Sequence, residues 1–169
     1  MRRIIISGVL FLCTLTAFGQ QSPVDRVFDK YAGQEGYTTV YISSYMFNLM
    51  SKLESDDPEY NEFKKATSGI SSIKILTQEG KGTAFAKELV SMLPRNEYKE
   101  MMVVKEEGEE VLFLAKEEGE RISEFLLIVS GSGEDVLIAI QGDIDLESIS
   151  KLASGLDMPG LENLEDLEE

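Results

Sequence analysis

Several residue types that carry common protein chemistry are missing or scarce in this 169-residue chain. It contains no histidine and no tryptophan, and its single cysteine, Cys13, lies near the amino terminus. The rest of the chain offers neither a thiol nor an imidazole, which excludes disulfides, thiol nucleophiles, histidine bases and Cys/His zinc sites there. Its stability therefore has to come from packing.

The amino terminus has the three parts of a secretory signal peptide. Two arginines follow Met1, an apolar run extends from Ile4 to Leu12, and the chain turns polar at Gln20. Ala17 and Gly19 place small residues at the two positions that signal peptidase seats in narrow pockets. We therefore predict cleavage between Gly19 and Gln20, removal of residues 1–19, and a periplasmic or secreted mature chain.

Two alternatives compete for this segment. A membrane anchor needs roughly 20 apolar residues and a basic stop-transfer flank, whereas this run is shorter and no such flank follows. A lipoprotein would make Cys13 the lipid-modified first residue, but its processing requires Gly, Ala or Ser where this chain has Leu12. We expect neither an integral membrane span after processing nor a lipid anchor at Cys13.

Basic residues are scarce relative to acidic ones. The chain has 16 Lys and Arg against 31 Asp and Glu, a formal charge of -15, and losing Arg2 and Arg3 with the signal takes it to -17. A polyanionic surface repels nucleic acid phosphates and anionic lipids, and it favours encounter with a basic protein. A basic protein of the envelope is the expected partner, and nucleic acid is not; the oligomeric state stays open.

Residues 22–97 alternate between helical and strand patterns. Ser22-Pro23 and Asp57-Pro58 each combine an N-cap with a proline at the first helical position. Runs rich in β-branched and aromatic residues predict strands at 37–43 and 70–76. Helical periodicity predicts two further helices, which carry Tyr45, Met46, Leu49, Met50 and Leu53, and Phe85, Leu89, Met92 and Leu93.

From residue 98 onward the pattern is that of an antiparallel meander. Four strand-like runs separated by glycines lie at 101–104, 111–115, 122–129 and 136–140. Phe125 to Val129 is apolar without alternation, which indicates a central strand covered on both faces. Asp143 or Asp145 is then expected to cap a last helix, which ends at Gly155.

The whole pattern predicts an α+β fold in two layers. A largely antiparallel sheet, built from the four-strand meander and the two earlier strands, is covered by amphipathic helices. Residues 20–155 form a single domain in this interpretation, and the acidic residues 156–169 form a disordered tail. The strand order is left open.

Two Ser-x-x-Lys spacings could pair a serine with a lysine base. They are Ser71 with Lys74, and Ser148 with Lys151. On a strand, Ser71 and Lys74 point to opposite faces, and no partner motif accompanies either pair. We interpret both as chance occurrences.

Acidic and glycine-rich motifs also have common structural uses. The glutamates at 105–110 and 116–121 are contiguous at hairpin turns, whereas calcium loops alternate their ligands. The acids at 142–147 fit a helix N-cap, and the glycines at 80–83 and 131–133 lack a phosphate-loop pattern. We predict no catalytic, cofactor-binding or metal-binding residues, and no cofactor.

Five segments spread over the domain, taken together and in order, resemble one protein family. They are Phe28-Asp29-Lys30-Tyr31, Val40-Tyr41-Ile42-Ser43 with Met46, Ile73-Lys74-Ile75-Leu76, Ile122-Ser123-Glu124-Phe125-Leu126 and Gly142-Asp143-Ile144-Asp145. The family they resemble is the bacterial "domain of unknown function 4252". The resemblance implies a small exported α+β protein with no established activity and no catalytic residues to carry over. Its members are often lipoproteins, a pattern from which this chain departs at Leu12.

These observations favour a non-enzymatic, exported binding or interaction protein. One alternative is a carrier that holds a small apolar ligand between helices and sheet, suggested by Met46 and Met50. Another is a carboxylate-dependent hydrolase, which needs two acids facing each other across a cleft. The missing tryptophan and the modest number of other aromatics argue against a sugar substrate.

Overall fold

The computed structural model describes residues 21–80, 85–119, 121–131 and 133–144. The helices are α1 (Pro23–Tyr31), α2 (Ser44–Ser51), α3 (Pro58–Ala66) and α4 (Phe85–Met92). The strands are β1 (Tyr37–Ser43), β2 (Ile70–Glu79), β3 (Tyr98–Glu106), β4 (Glu109–Glu118), β5 (Arg121–Gly131) and β6 (Glu134–Ile144). The predicted cleavage residues Ala17, Gly19 and Gln20, the last helix beyond Ile144 and the acidic tail lie outside the described residues.

The six strands form one antiparallel sheet in the order β1-β2-β6-β5-β4-β3. The meander β3 to β6 is joined to the two earlier strands by the pairing of β2 with β6. The predicted α+β class with a largely antiparallel sheet is therefore confirmed. Strand β5 is interior, and four consecutive residues from Phe125 to Ile128 are buried, which confirms the prediction of a strand covered on both faces.

Local signals explain where two helices begin. In α1, the hydroxyl of Ser22 accepts a hydrogen bond from the Asp25 backbone N–H at 3.0 Å, and a proline occupies the first turn. In α3, the carboxylate of Asp57 accepts from the Glu59 N–H at 2.9 Å, again ahead of a proline. Both starts agree with the sequence prediction.

Helices α1 and α4 form the helical layer on one face of the sheet. Val24, Val27 and Phe28 of α1 are buried together with Phe85 and Leu89 of α4. The sheet contributes the side chains that point to this face: Leu76, Leu114, Leu126, Ile128, Leu137 and Ala139. This cluster is the larger part of the core.

The opposite face of the sheet carries a second apolar cluster. Phe113, Phe125, Leu127 and Ile140 are buried at its centre. Helix α2 contacts β1 and β2 at one end of this face, where its Phe47 is buried. Helix α2 is therefore attached to the sheet through a single buried side chain.

The structure corrects the prediction at the end of the sheet. Asp143 does not cap a helix, because β6 continues through it to Ile144. The Asp143 N–H donates to the carbonyl of Gly69 at 2.8 Å, so the chain stays paired with the segment that leads into β2. The other strands are also longer than predicted at one or both ends, except β1, which matches.

Candidate interaction surface

The segment 36–51 contains no charged residue, although 28% of the whole chain is charged. It covers β1 and α2, which follow each other without a loop. Four large apolar side chains of this segment are exposed on α2 or on the face of β1 that carries α2, and a fifth follows just after Lys52: Val40, Tyr45, Met46, Leu49 and Leu53. Tyr41 is also exposed, but it lies on the opposite face of the sheet, beside Phe28 of α1. We call these five side chains, from Val40 to Leu53 without Tyr41, the neutral surface.

The neutral surface arises from how α2 packs. Phe47 faces the sheet, whereas Met46 and Leu49 lie three residues apart on another side of the helix and are 50% and 44% exposed. Val40 adjoins them from the outer strand, because its register partner Ile75 belongs to the cluster on the α2 face. Exposed apolar side chains in a contiguous group are typical of a contact site.

Acidic residues lie at the margins of the neutral surface. Glu35 precedes β1, and Glu54, Asp56 and Asp57 follow α2, all of them exposed. A partner that buries the apolar centre would therefore meet a rim of four acids beside the exposed Lys52. Such a rim complements basic groups.

The two edges of the sheet differ in chemistry. β3, at the far edge, carries the charged residues Lys99, Glu100, Lys105 and Glu106, and its register with β4 is interrupted between Glu100 and Met102. Charges and bulges on an edge strand discourage pairing with another chain. β1 has an uninterrupted register with β2 and no charge, so its outer edge lacks both protections.

A buried polar network lies at one end of the sheet, on the α1 face. Glu124 is 4% exposed; it accepts hydrogen bonds from the Tyr98 hydroxyl and, at 2.7 Å, from the Gln141 side-chain amide. The Ser72 hydroxyl donates to Gln141 Oε1 at 2.9 Å. Burial, and then the bond to Glu124, raise the pKa of Tyr98 above its ordinary value. Tyr98 thus remains a protonated donor, which suits a structural role better than that of a base.

An open cleft of about 1060 Å³ adjoins this network. Three glutamates line it, as the hydrolase alternative would require: Glu97, Glu118 and Glu124. Glu97 forms an ion pair with Lys116 at 2.7 Å, and Glu124 accepts hydrogen bonds from Tyr98 and Gln141, so both carboxylates are already engaged within the chain. A second cleft of about 410 Å³ is lined mainly by charged residues of the β3–β4 hairpin and by Lys87 of α4. Neither cleft has the apolar lining that a carrier would need.

Asp135 is a second buried carboxylate, at the other end of the sheet. It has no exposed surface, and Oδ1 accepts from the backbone N–H of Gly131 at 3.3 Å. Its register partner is Gln78; Oδ2 of Asp135 and Oε1 of Gln78 are both buried without a hydrogen bond in the described structure. Burial raises the pKa of Asp135, against the lowering effect of the N–H groups of Gly131 and Ala86.

The predicted serine–lysine pair at β2 is not brought together. Ser71 donates to the carbonyl of Gln141 at 2.9 Å. Lys74 forms an ion pair with Asp25 of α1 and lies over the rings of Phe28 and Tyr41. The second pair, Ser148 with Lys151, lies outside the described residues.

The glutamate-rich segments form the β3–β4 and β4–β5 hairpin turns, as predicted. Gly108 and Gly119 have φ values of 82° and 70°, which such turns require. Within residues 21–80, 85–119, 121–131 and 133–144, no group of three or more metal-binding side chains is found. Over the same residues, no helix is long and apolar enough to cross a membrane.

Sequence reasoning missed the neutral surface. Helical periodicity placed Met46, Leu49 and Leu53 on one helix without showing which side is exposed, and the residue buried against the sheet is Phe47. The available signal was the run of uncharged residues from 36 to 51, which is long for so charged a chain.

Comparison with known proteins identifies a family but no activity. Residues 31–152 match the family described as "Domain of unknown function (DUF4252)". The match spans β1 to β6 and therefore includes the neutral surface and both buried carboxylates. No curated protein and no solved structure matches the chain.

Proposed function

We propose that this chain, which belongs to the DUF4252 family, is an exported, non-enzymatic protein that acts by binding other proteins through its neutral surface. The observation that carries the proposal is the exposure of five neighbouring apolar side chains, four of them in a segment without charge. A partner that covers these side chains removes their apolar surface from water, which favours binding.

The charge of the rest of the molecule supports a protein partner. Outside the neutral surface the chain is strongly acidic, with a formal charge of -15 overall. Like charge repels nucleic acid and anionic lipid, whereas a basic protein of the envelope is attracted. Attraction by charge would act at a distance, and contact at the neutral surface would follow.

Export supports the same proposal. The signal-like amino terminus, with Ala17 and Gly19 before the expected cut at Gln20, directs the chain out of the cytoplasm. A chain without cysteine after cleavage is unaffected by the oxidising conditions outside. Both features suit a protein that works outside the cytoplasm.

Site-specific photo-crosslinking in cells tests the proposal. A photoreactive residue at position 49 is compared with one at position 103. Leu49 is 44% exposed and Val103 is 38% exposed, but Val103 lies on the charged edge strand β3. We expect a discrete protein adduct from position 49 that excess untagged protein suppresses, and none from position 103. Absence of an adduct at 49, or equal adducts at both positions, would refute the proposal.

A further inference from the structure

The edge strand β1 leads to a more specific statement about what covers the neutral surface. β1 ends the sheet in the order β1-β2-β6-β5-β4-β3, so among the described strands only its inner side is paired. Its seven residues contain no charge and no proline. The backbone N–H and C=O groups along its outer side are therefore available to another strand.

We propose that the neutral surface joins two copies of this chain, with their β1 strands paired antiparallel across a two-fold axis near Val40. This inference rests on the proposed function, whose contact site it uses, and names a second copy as the occupant. The pairing would extend two six-stranded sheets into one continuous sheet. It repeats the antiparallel geometry found throughout the sheet.

The side chains of β1 suit this self-pairing. An axis at Val40 places the two Val40 side chains opposite each other and Thr38 opposite Ile42. β-branched pairs of this kind stabilise antiparallel strands. These residues lie on the face that carries α2, so the exposed side chains Met46 and Leu49 of the two copies are brought to the same side of the joined sheet.

Charge permits a second copy at the centre of this site. Two chains that each carry -15 repel one another over most of their surfaces. The segment 36–51 is the exception, because its own residues bring no like charges together, and only the acids at its margins repel those of a second copy. The centre of the surface carries no acid to pair with a base, so a second copy can cover it without leaving a charge unpaired there.

The contrast between the edges also limits the assembly to a dimer. Pairing of β1 with β1 is isologous, and it covers the uncharged β1 edge of both copies. The remaining edges are both β3, which carry Lys99, Glu100, Lys105 and Glu106 and an irregular register. The assembly therefore closes at two copies and does not extend into a fibre.

Sedimentation velocity of the purified protein over a range of concentrations tests the inference. We expect a monomer–dimer equilibrium that strengthens as salt is raised, since salt screens the repulsion between the two acidic copies. Val40→Lys would place two like charges at the axis and weaken the dimer at least about tenfold. Val103→Lys is the matched control on the other edge strand, since Val103 is 38% exposed and Val40 is 40% exposed, and it should leave the dimer affinity unchanged.

Further measurements separate the possible failures. Thr38→Lys, at an exposed β1 position, repeats the test if Val40→Lys does not fold. Hydrogen exchange should show β1 amides that become protected only as the dimer forms; protection in the monomer would mean that another part of the same chain covers the edge, and would overturn the inference. A protein that stays monomeric while Leu49 crosslinks to a different protein refutes the dimer and leaves the proposed function standing.

Discussion

Asp135 gives a pH-dependent prediction at the scale of a single residue. Burial raises its pKa above the ordinary 3.8, so the folded state holds the proton more tightly than the unfolded state does. The stabilising effect of the protonated form is fully present below the ordinary pKa and is lost as the pH rises through the raised pKa. Asp135→Asn removes this loss and should increase the free energy of unfolding by ~1–3 kcal/mol at neutral pH.

Urea unfolding of both proteins from about pH 4 to about pH 8 checks this expectation, with the gain from Asp135→Asn growing as pH rises. Glu134→Gln, a change at an exposed neighbour on β6, serves as the control and should give a small difference that does not vary with pH. A flat or falling difference for Asp135→Asn would contradict the account, because it would mean that the two N–H donors outweigh burial.

The buried network around Glu124 gives a second residue-scale prediction. Tyr98→Phe removes one of the two donors to a carboxylate that is 4% exposed and should lower the free energy of unfolding by ~1–3 kcal/mol. Thermal or urea unfolding measures the loss. Tyr45→Phe, at a position 69% exposed, should change stability by less than about 0.5 kcal/mol. Equal effects of the two variants would show that the Tyr98 bond contributes little.

Neither buried carboxylate could be predicted from the sequence. Glu124 and Asp135 are two of 31 acidic residues, and an acid in a strand is ordinarily exposed. Their burial depends on register, since Glu124 lies opposite Gln141 and Asp135 lies opposite Gln78. Asp135 and Gln78 lie on strands far apart in the chain, and the β5–β6 register is interrupted between Ile122 and Glu124, so no local pattern encodes either pairing.

At the scale of elements, the junction between β2 and β6 depends on two glycines. A Cβ on Gly69 would lie 2.0 Å from the carbonyl oxygen of Asp143, and one on Gly142 would lie 2.2 Å from the carbonyl oxygen of Gly69. Both obstacles are backbone atoms, which cannot move aside without breaking the pairing. Close backbone approach is therefore the reason for glycine at these positions.

Gly69→Ala should therefore lower the free energy of unfolding by ~1–3 kcal/mol, since the added methyl group forces β6 away from the start of β2. Gly133→Ala is the matched control, because nothing lies within 4 Å of its Cβ position. Chemical unfolding of the two variants measures the difference. If both alanines have the same effect, the close approach of the two backbones is not what requires glycine.

Elements with strong local signals were predicted well. The cap-plus-proline starts of α1 and α3 and both ends of β1 agree with the structure. The end of β6 was wrong, because Gly142 and Asp143 have the composition of a helix start and only the contact with Gly69 shows that they continue a strand. Helical periodicity also could not tell which side of α2 faces the sheet.

At the scale of the whole molecule, the proposed export predicts which residue the mature chain begins with. The mass of the protein recovered from outside the cytoplasm should correspond to a chain that begins at Gln20, with Arg2 and Arg3 removed and the formal charge lowered from -15 to -17. Intact mass spectrometry measures this. A lipid-bearing chain that begins at Cys13, or an uncleaved amino terminus, would contradict the export pathway assumed here.

Contact through the neutral surface is the claim on which the function depends, and methionine footprinting in living cells tests it most directly. Met46 on α2 and Met101 on β3 are exposed by 50% and 37% in the isolated chain, so hydroxyl radicals should oxidise both in dilute purified protein. In cells that export the protein, we predict that Met46 is protected several-fold while Met101 is oxidised as before. Equal oxidation of Met46 in both settings would mean that nothing covers the surface, and would contradict the account.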